Sequence, residues 1–282
     1  MDEIKTRLIK RPNELYAEFL IEGIEPHIIN MFRRAVLAYV PTLAIHEVII
    51  RRNTSVLWDE DLALRLALIP LKVDRREIDL LGKCGKLILS LERAVECSAR
   101  LRLRKRGEPN RIITVYARDI EPVDKKTVRP VYPDIPIVKL GPKQEIDIEM
   151  IAKVGLGRDH AKFQAVCTVG YKPLPILQVK ENCNGCGKCV EACPKKVLEL
   201  RNGKPVIKED KRLECDLDRL CVMHCPVQAL EIIPDETKYL FRVESVGQLS
   251  LEEIFIAAVN SMDQLMDYFM KALTEALQQS KG

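Results

Sequence analysis

Residues 183–226 contain the run Cys183-x-x-Cys186-x-x-Cys189-x-x-x-Cys193-Pro194, followed by Cys215-x-x-Asp218-x-x-Cys221-x-x-x-Cys225-Pro226. The second run repeats the first at a constant offset of 32 residues, with one change: Asp218 stands where the first has Cys186. Seven of the ten cysteines fall in this window. Cysteines at i, i+3 and i+6 in an irregular loop can wrap three iron corners of a cubane cluster, because a short loop bends freely. Gly185 and Gly187 allow that bending and let backbone N–H groups approach the sulfides. Zinc is the alternative for closely spaced cysteines. The repeated spacing, each run closing on Cys-Pro, favours iron and sulfur.

The two runs resemble those of bacterial-type two-cluster ferredoxins, in which the last cysteine of each run ligates the opposite cluster. The resemblance implies a [4Fe–4S] cluster on Cys183, Cys186, Cys189 and Cys225. It implies a second site on Cys193, Cys215 and Cys221, with Asp218 at the remaining corner. A carboxylate is a harder and weaker ligand than thiolate for such iron. The second site is therefore open to a [3Fe–4S] cluster, a [4Fe–4S] cluster with Asp218 as ligand, or none, and three-iron or labile occupancy is the expectation. Each run continues into a short strand, Val197-Leu198-Glu199-Leu200 and Ala229-Leu230-Glu231-Ile232, as two pseudo-equivalent halves would.

The flanks are much longer than any ferredoxin needs. A chain of 282 residues predicts two or three domains, and 47% hydrophobic with 30% charged residues is the composition of an ordinary globular protein. A net charge of +4 fits a protein of a nucleic-acid machine without demanding base-specific contact with nucleic acid. The first residues carry both charge signs and no apolar core, so no signal peptide is expected. No apolar run reaches the ~18 residues of a membrane span. Ten cysteines without an export signal predict metal or redox use in a reducing cytoplasm.

In chain order, alternation predicts a strand over 14–22, and Pro26 opens a helix through Leu37 with Ile28, Phe32, Ala35 and Val36 on one face. Pro41 ends it. A strand follows over 43–50, then a short helix opened by Asp59-Glu60-Asp61 and running to Pro70. Residues 85–170 read as β-structure: Leu87, Leu89 and Leu91 alternate, as do Leu101 and Leu103 against Arg100, Arg102 and Arg104. Strands are also expected at 113–116 and 146–148, a loop at 130–142, and a hinge at Pro173-Leu174-Pro175. After a strand over 239–246, Ser250 and Glu253 form a capping box, with Leu249 and Ile254 as staple. The helix they open carries Leu251, Ala258, Leu265 and Ala272 every seven residues, with Phe255, Met262, Phe269 and Ala276 four places on. That stripe is roughly 40 Å long, and a terminal helix of this length usually needs a further surface to bury it.

Cys84, Cys97 and Cys167 are isolated and read as small buried apolar side chains. The basic run Arg100–Arg106 reads as a solvated strand face, and Gly155-x-Gly157 lacks the context of a dinucleotide fingerprint. No phosphate loop, nucleophile elbow or Asp-x-Asp-x-Asp cluster occurs, so no catalytic residue is expected.

Asn30-x-x-Arg33-Arg34, Val40-Pro41-Thr42-Leu43-Ala44-Ile45-x-x-Val48 and the block from Asn53-Thr54-Ser55-Val56-Leu57 to Ile69-Pro70-Leu71 resemble the α-type assembly subunits of cellular RNA polymerases. Val115-Tyr116-Ala117-Arg118-Asp119, Gly157-x-x-His160-Ala161-Lys162-Phe163 and Val243-Glu244-Ser245-x-Gly247 are similar to the same family. A ferredoxin-like insertion in that frame resembles the archaeal branch of the family. The resemblance implies an α+β fold in three parts. These are a discontinuous α-subunit-like dimerisation domain (1–48 with 234–282), an inserted β-rich domain (49–169) and an inserted ferredoxin-like iron–sulfur domain (170–233). It implies a non-catalytic role in assembling DNA-directed RNA polymerase, a nucleotidyltransferase complex. It also implies a heterodimer with subunit L through Phe32, Leu251, Phe255, Met262, Leu265 and Phe269, and contacts with small subunits N and P and the large catalytic subunits. The rival reading from the cysteines alone is an electron-transfer subunit of an oxidoreductase.

Overall fold

The structure is a computed structural model, and it describes residues 3–72, 98–123 and 128–279. Cys84, Cys97 and the strand expected at Leu87–Leu91 lie outside them. The fold is α+β and divides into two compact units: Met1–Met31 with Val169–Val243, and Phe32–Thr168 with Glu244–Gly282.

The second unit is built on a four-stranded sheet in the order β3 (Pro41–Asn53), β10 (Glu145–Leu156), β5 (Ser98–Arg106), β7 (Ile120–Pro122). Its central strand explains the packing. Ile146, Ile148, Met150 and Ala152 of β10 alternate inward and are fully buried, meeting Leu101 and Leu103 of β5 across the antiparallel ladder. The outward residues carry charge. Asp147 takes Arg102 in a two-pronged bond near 3.0 Å, and Glu149 takes Arg51 the same way at 2.9 and 3.0 Å. Each arginine holds its partner carboxyl below the usual carboxylate range, chiefly by hydrogen bonding. The basic run of β5 is therefore a strand face paired with the acids of β10. Exposed pairs of this kind contribute little stability each.

Smaller elements of this unit are α2 (Asp59–Ala67), with Leu62 and Leu66 buried beneath three acids in its first turn, and three further strands: β4 (Leu71–Lys72), β6 (Ile113–Tyr116) and β8 (Arg129–Pro130). The expected loop at 130–142 is corrected: β9 (Pro136–Leu140) lies inside it and pairs with β6. Its proline stands at the first strand position, where a missing N–H is tolerated, while Ile137, Val138 and Leu140 supply the buried side chains.

The first unit holds a sheet in the order β1 (Lys5–Lys10), β2 (Tyr16–Glu22), β14 (Leu230–Ser245), β11 (Val166–Val179). The hinge expected at Pro173-Leu174-Pro175 is corrected too, since these residues lie within β11 without a break. This strand is at the sheet edge, the place where prolines cost least. Cys167, expected buried, is exposed and points its Sγ toward the Glu244 carbonyl at 3.6 Å.

Helix α1 (Pro26–Ala38) starts at Pro26 as expected, and buries Ile29, Ala35 and Val36 most completely. Its last residues meet the end of β10 closely. A Cβ at Gly157 would lie 2.3 Å from the Leu37 carbonyl, and one at Gly155 would lie 2.6 Å from the Phe163 ring. Both glycines thus answer to packing. The turn into the last helix is fixed by Gln248, a buried amide that donates to the carbonyls of Leu43 (2.9 Å) and Leu71 (3.3 Å). Ser245 Oγ donates to the Leu249 carbonyl at 2.7 Å.

The long terminal helix, Leu251–Gln279, opens on the expected capping box: Ser250 N donates to Glu253 at 2.7 Å and Glu253 N to Ser250 Oγ at 3.3 Å. Leu251, Ile254 and Ala258 are buried in their own unit, Phe255 packs against Phe32 with the rings tilted and their centroids 5.6 Å apart, and Ser261 Oγ donates to the Tyr39 carbonyl. Met262 and Leu265 are half-buried. From Met266 to Gln279 every residue is exposed, Phe269 at 56%.

Gly157→Ala forces its methyl into a backbone carbonyl, a contact that nothing flexible relieves. Overpacking of this sort is expected to cost about 1–3 kcal/mol in urea denaturation. Gly170→Ala, with nothing within 4 Å of the new Cβ, is expected to stay within about 0.5 kcal/mol of the parent chain.

Candidate metal centre

The offset of 32 seen in the sequence recurs in the backbone. Gly185 and Gly187 have φ of 70° and 76°, and their counterparts Leu217 and Arg219 have 56° and 62°. Lys196 and Gln228, also 32 apart, share left-handed φ values of 51° and 48°. The short helices Lys188–Glu191 and Leu220–Met223 occupy matching positions and are closed by matching bonds. Val190 N donates to the Gly187 carbonyl at 2.9 Å, and Val222 N to the Arg219 carbonyl at 3.0 Å. The second loop makes the same turns with residues that are strained there, since a left-handed conformation suits glycine far better. Gly185 is required on a second count. A Cβ there would lie 2.6 Å from the carbonyl of Gly203, in the turn of the hairpin β12 (Leu198–Arg201) and β13 (Lys204–Ile207).

These loops place the seven cysteines in two groups. Cys183, Cys186, Cys189 and Cys225 line one pocket with Gly185, Gly187 and Leu230. Three come from the first run and the fourth from the second. The other group is drawn together around Cys221. Burial and then the nearby Cys193 and Cys215 push its thiol up to about 11. Cys215 is raised by burial first, and Cys193 and Asp218 add to the shift. Cys189 is raised by burial, then by Cys225 and Cys186. The shared cause is that a thiolate loses its hydration here and faces other sulfurs. A bound iron–sulfur group would supply the positive charge that keeps such thiolates ionised.

The cysteines are also the core of this module. Cys189, Cys193, Cys215 and Cys221 are buried in one cluster with Val197, Leu198, Leu230 and Ile232. Among the described residues no three His, Cys, Asp or Glu side chains meet where one metal ion would sit. The repeated runs, each closing on Cys-Pro, favour a group of several irons over a single zinc. The donor set, the glycine turns and the crossed origin of the fourth cysteine fit an iron–sulfur cluster at the first site.

Asp218 differs from its counterpart Cys186 in what it touches. Its Oδ1 accepts the Leu220 N–H at 3.0 Å and so braces the turn into the second short helix. Two lysines that sequence reasoning missed support this loop. Lys172 donates to the Cys215 carbonyl and to Asp216, both at 2.9 Å, and Lys195 lies 3.6 Å from Asp216. No motif marks them, because they reach the site from β11 and from the other run. Lys172→Met removes two charge-assisted bonds from one loop only. Amide exchange over 215–218 is expected to accelerate about tenfold or more, with 183–189 unchanged.

Comparison with known proteins agrees with the geometry. Residues 48–171 match the RNA polymerase Rpb3/RpoA insert domain, and residues 182–229 match the 4Fe-4S dicluster domain. The chain is 38% identical over 244 residues to DNA-directed RNA polymerase subunit Rpo3 of Methanosarcina mazei, covering 86% of this chain and 89% of that one. It is 36% identical over 250 residues to subunit Rpo3 of Methanothermobacter thermautotrophicus, covering 89% and 92%. It is 32% identical over 268 residues to the DNA-directed RNA polymerases I and III subunit rpac1 of Dictyostelium discoideum, covering 89% and 76%. At these identities over most of both chains, the protein belongs to the Rpo3 family of DNA-directed RNA polymerase subunits, the α-type family.

Proposed function

We propose that this chain is a non-catalytic assembly subunit of DNA-directed RNA polymerase, working in the cytoplasm. It would form a heterodimer with subunit L and then recruit the large catalytic subunits and small subunits N and P. The observation that carries this reading is the adjacency of two matches in one chain, the polymerase insert domain at 48–171 and the dicluster domain at 182–229. They support the three-part division in which 1–48 and 234–282 form the dimerisation domain, 49–169 the β-rich insertion and 170–233 the cluster domain. An electron-transfer subunit would need only the second match, and nothing favours it over the whole-length likeness to polymerase subunits.

The dimer surface we infer is the outer half of the terminal helix. Leu251 and Phe255 anchor its base with Phe32, while Met262, Leu265 and Phe269 lead into the uncovered stretch. Apolar side chains exposed over fourteen residues are a poor solvent face but a normal partner face. Membrane insertion does not compete for it, because among the described residues no helix is long and apolar enough to cross a bilayer.

The first site would hold a [4Fe–4S] cluster on Cys183, Cys186, Cys189 and Cys225. The second would use Cys193, Cys215 and Cys221, with Asp218 kept at its backbone bond, and hold a three-iron or labile cluster. Bound clusters would supply the folding energy that a core half made of cysteine lacks. The role would be structural or regulatory, and loss of the clusters to oxygen would slow assembly.

Two outcomes test these readings. Phe269→Asp is expected to abolish co-purification with the small dimer partner while leaving the iron content unchanged. An unaltered heterodimer would remove the helix from the interface. Asp218→Cys is expected to replace the three-iron signal in electron paramagnetic resonance, seen after mild oxidation, with a four-iron one. An identical spectrum in the parent chain and the variant would count against the three-thiolate site.

A further inference from the structure

The first unit contains a second cavity that neither the clusters nor the dimer surface uses. Its volume is about 340 Å³, within the range of small-ligand sites. One wall is a face of the sheet: the register sets Lys5 opposite Glu22 and Arg7 opposite Leu20, so these four side chains share that face. Lys238 of β14 and Leu174 of β11 continue it. The opposite wall is the 3-10 turn Glu209–Glu214, which contributes Glu209, Arg212 and Leu213. Four cations, Lys5, Arg7, Arg212 and Lys238, stand against two carboxylates, Glu22 and Glu209, a net charge of +2. One carboxylate is engaged already, since Glu22 lies 3.3 Å from Lys238.

Arg212 is held in place from one side: its Nη2 donates to the Pro175 carbonyl at 3.3 Å and its Nε is buried out of reach of solvent, so the outer end of the guanidinium is what lines the cavity. The turn that carries Arg212 also leads directly into the second cysteine group, with Cys215 N donating to the Arg212 carbonyl at 3.4 Å.

We propose that this cavity binds the phosphate group of a small molecule. A phosphate monoester carries about −1.5 to −2 charge and so balances the pocket, which a single carboxylate would not. Two arginines offer the forked donors that tetrahedral oxyanions prefer. The remaining wall of Leu20, Leu174 and Leu213 leaves room for an organic body beside the phosphate. Occupancy would hold the 209–214 turn against the sheet and thereby steady the approach to Cys215.

Calorimetric titration of the cluster-loaded full chain, in separate arms with inorganic phosphate and with adenosine monophosphate, tests this. Saturable binding of either probe is expected, and the stronger arm tells a free phosphate from a phosphomonoester. Arg212→Ala and Arg7→Ala are each expected to weaken binding about tenfold or more, and Arg111→Ala, in the other unit, to leave it unchanged. Arg7 lies exposed on an edge strand, so its variant is not expected to unfold the chain and keeps the test decisive. The proposal is overturned if neither probe saturates by about 10 mM, or if both pocket variants bind as the parent does. A third arm uses an acidic peptide, and binding of that peptide alone equally overturns the proposal, since the cavity would then be a docking point for another protein.

Discussion

A thiolate can be buried only next to positive charge, and the module at the end of β11 and β14 places four cysteines in its core. Cys189, Cys193, Cys215 and Cys221 pack with four aliphatic side chains, at exposures of 9% or less. As neutral thiols they behave as small apolar groups. As cluster ligands they would become bonds between loops that have few strands or helices of their own. The two short helices here are one turn each, too short to be stable by themselves. Everything else in the module follows: the left-handed turns, the hairpin pressed on Gly185 and the lysines that hold the Cys215 loop.

The pseudo-symmetry of the two halves clarifies what Asp218 does. The second loop keeps the backbone of the first although Leu217 and Arg219 replace glycines, and that conformation is held against their steric preference. Asp218 helps to hold it through the Leu220 N–H. A residue that supports the loop in this way is not simply a lost ligand. The two halves share a backbone and differ in chemistry: four cysteines line the pocket of one, and three thiols group around Cys221 in the other.

Much of this was legible in the sequence. The offset of 32, the capping box at Ser250 and the alternation of β5 are local patterns, and local patterns survive folding. The heptad stripe was also legible, but not where it divides: Leu251 and Ala258 are buried at home whereas Phe269 is exposed, and only tertiary packing decides that. Apart from Cys167, which was read as buried and is exposed, the corrections concern proline. Pro136, Pro173 and Pro175 read as loop and hinge, yet stand at a strand start and along an edge strand, where the missing N–H breaks no ladder. Gln248, Lys172 and Arg212 were invisible because each acts on residues distant in sequence. So was the packing role of Gly155 and Gly157, which depends on Phe163 and on the end of α1.

The central claim is that clusters staple a cysteine-built module onto a polymerase assembly subunit. Amide hydrogen exchange of the anaerobic protein, with clusters intact and after chelation, tests it most directly. The account predicts that chelation removes protection across 183–232 while the β10 strand at 146–152 keeps its own. Unchanged protection across 183–232 in the stripped protein would contradict it, since the module would then fold without the clusters.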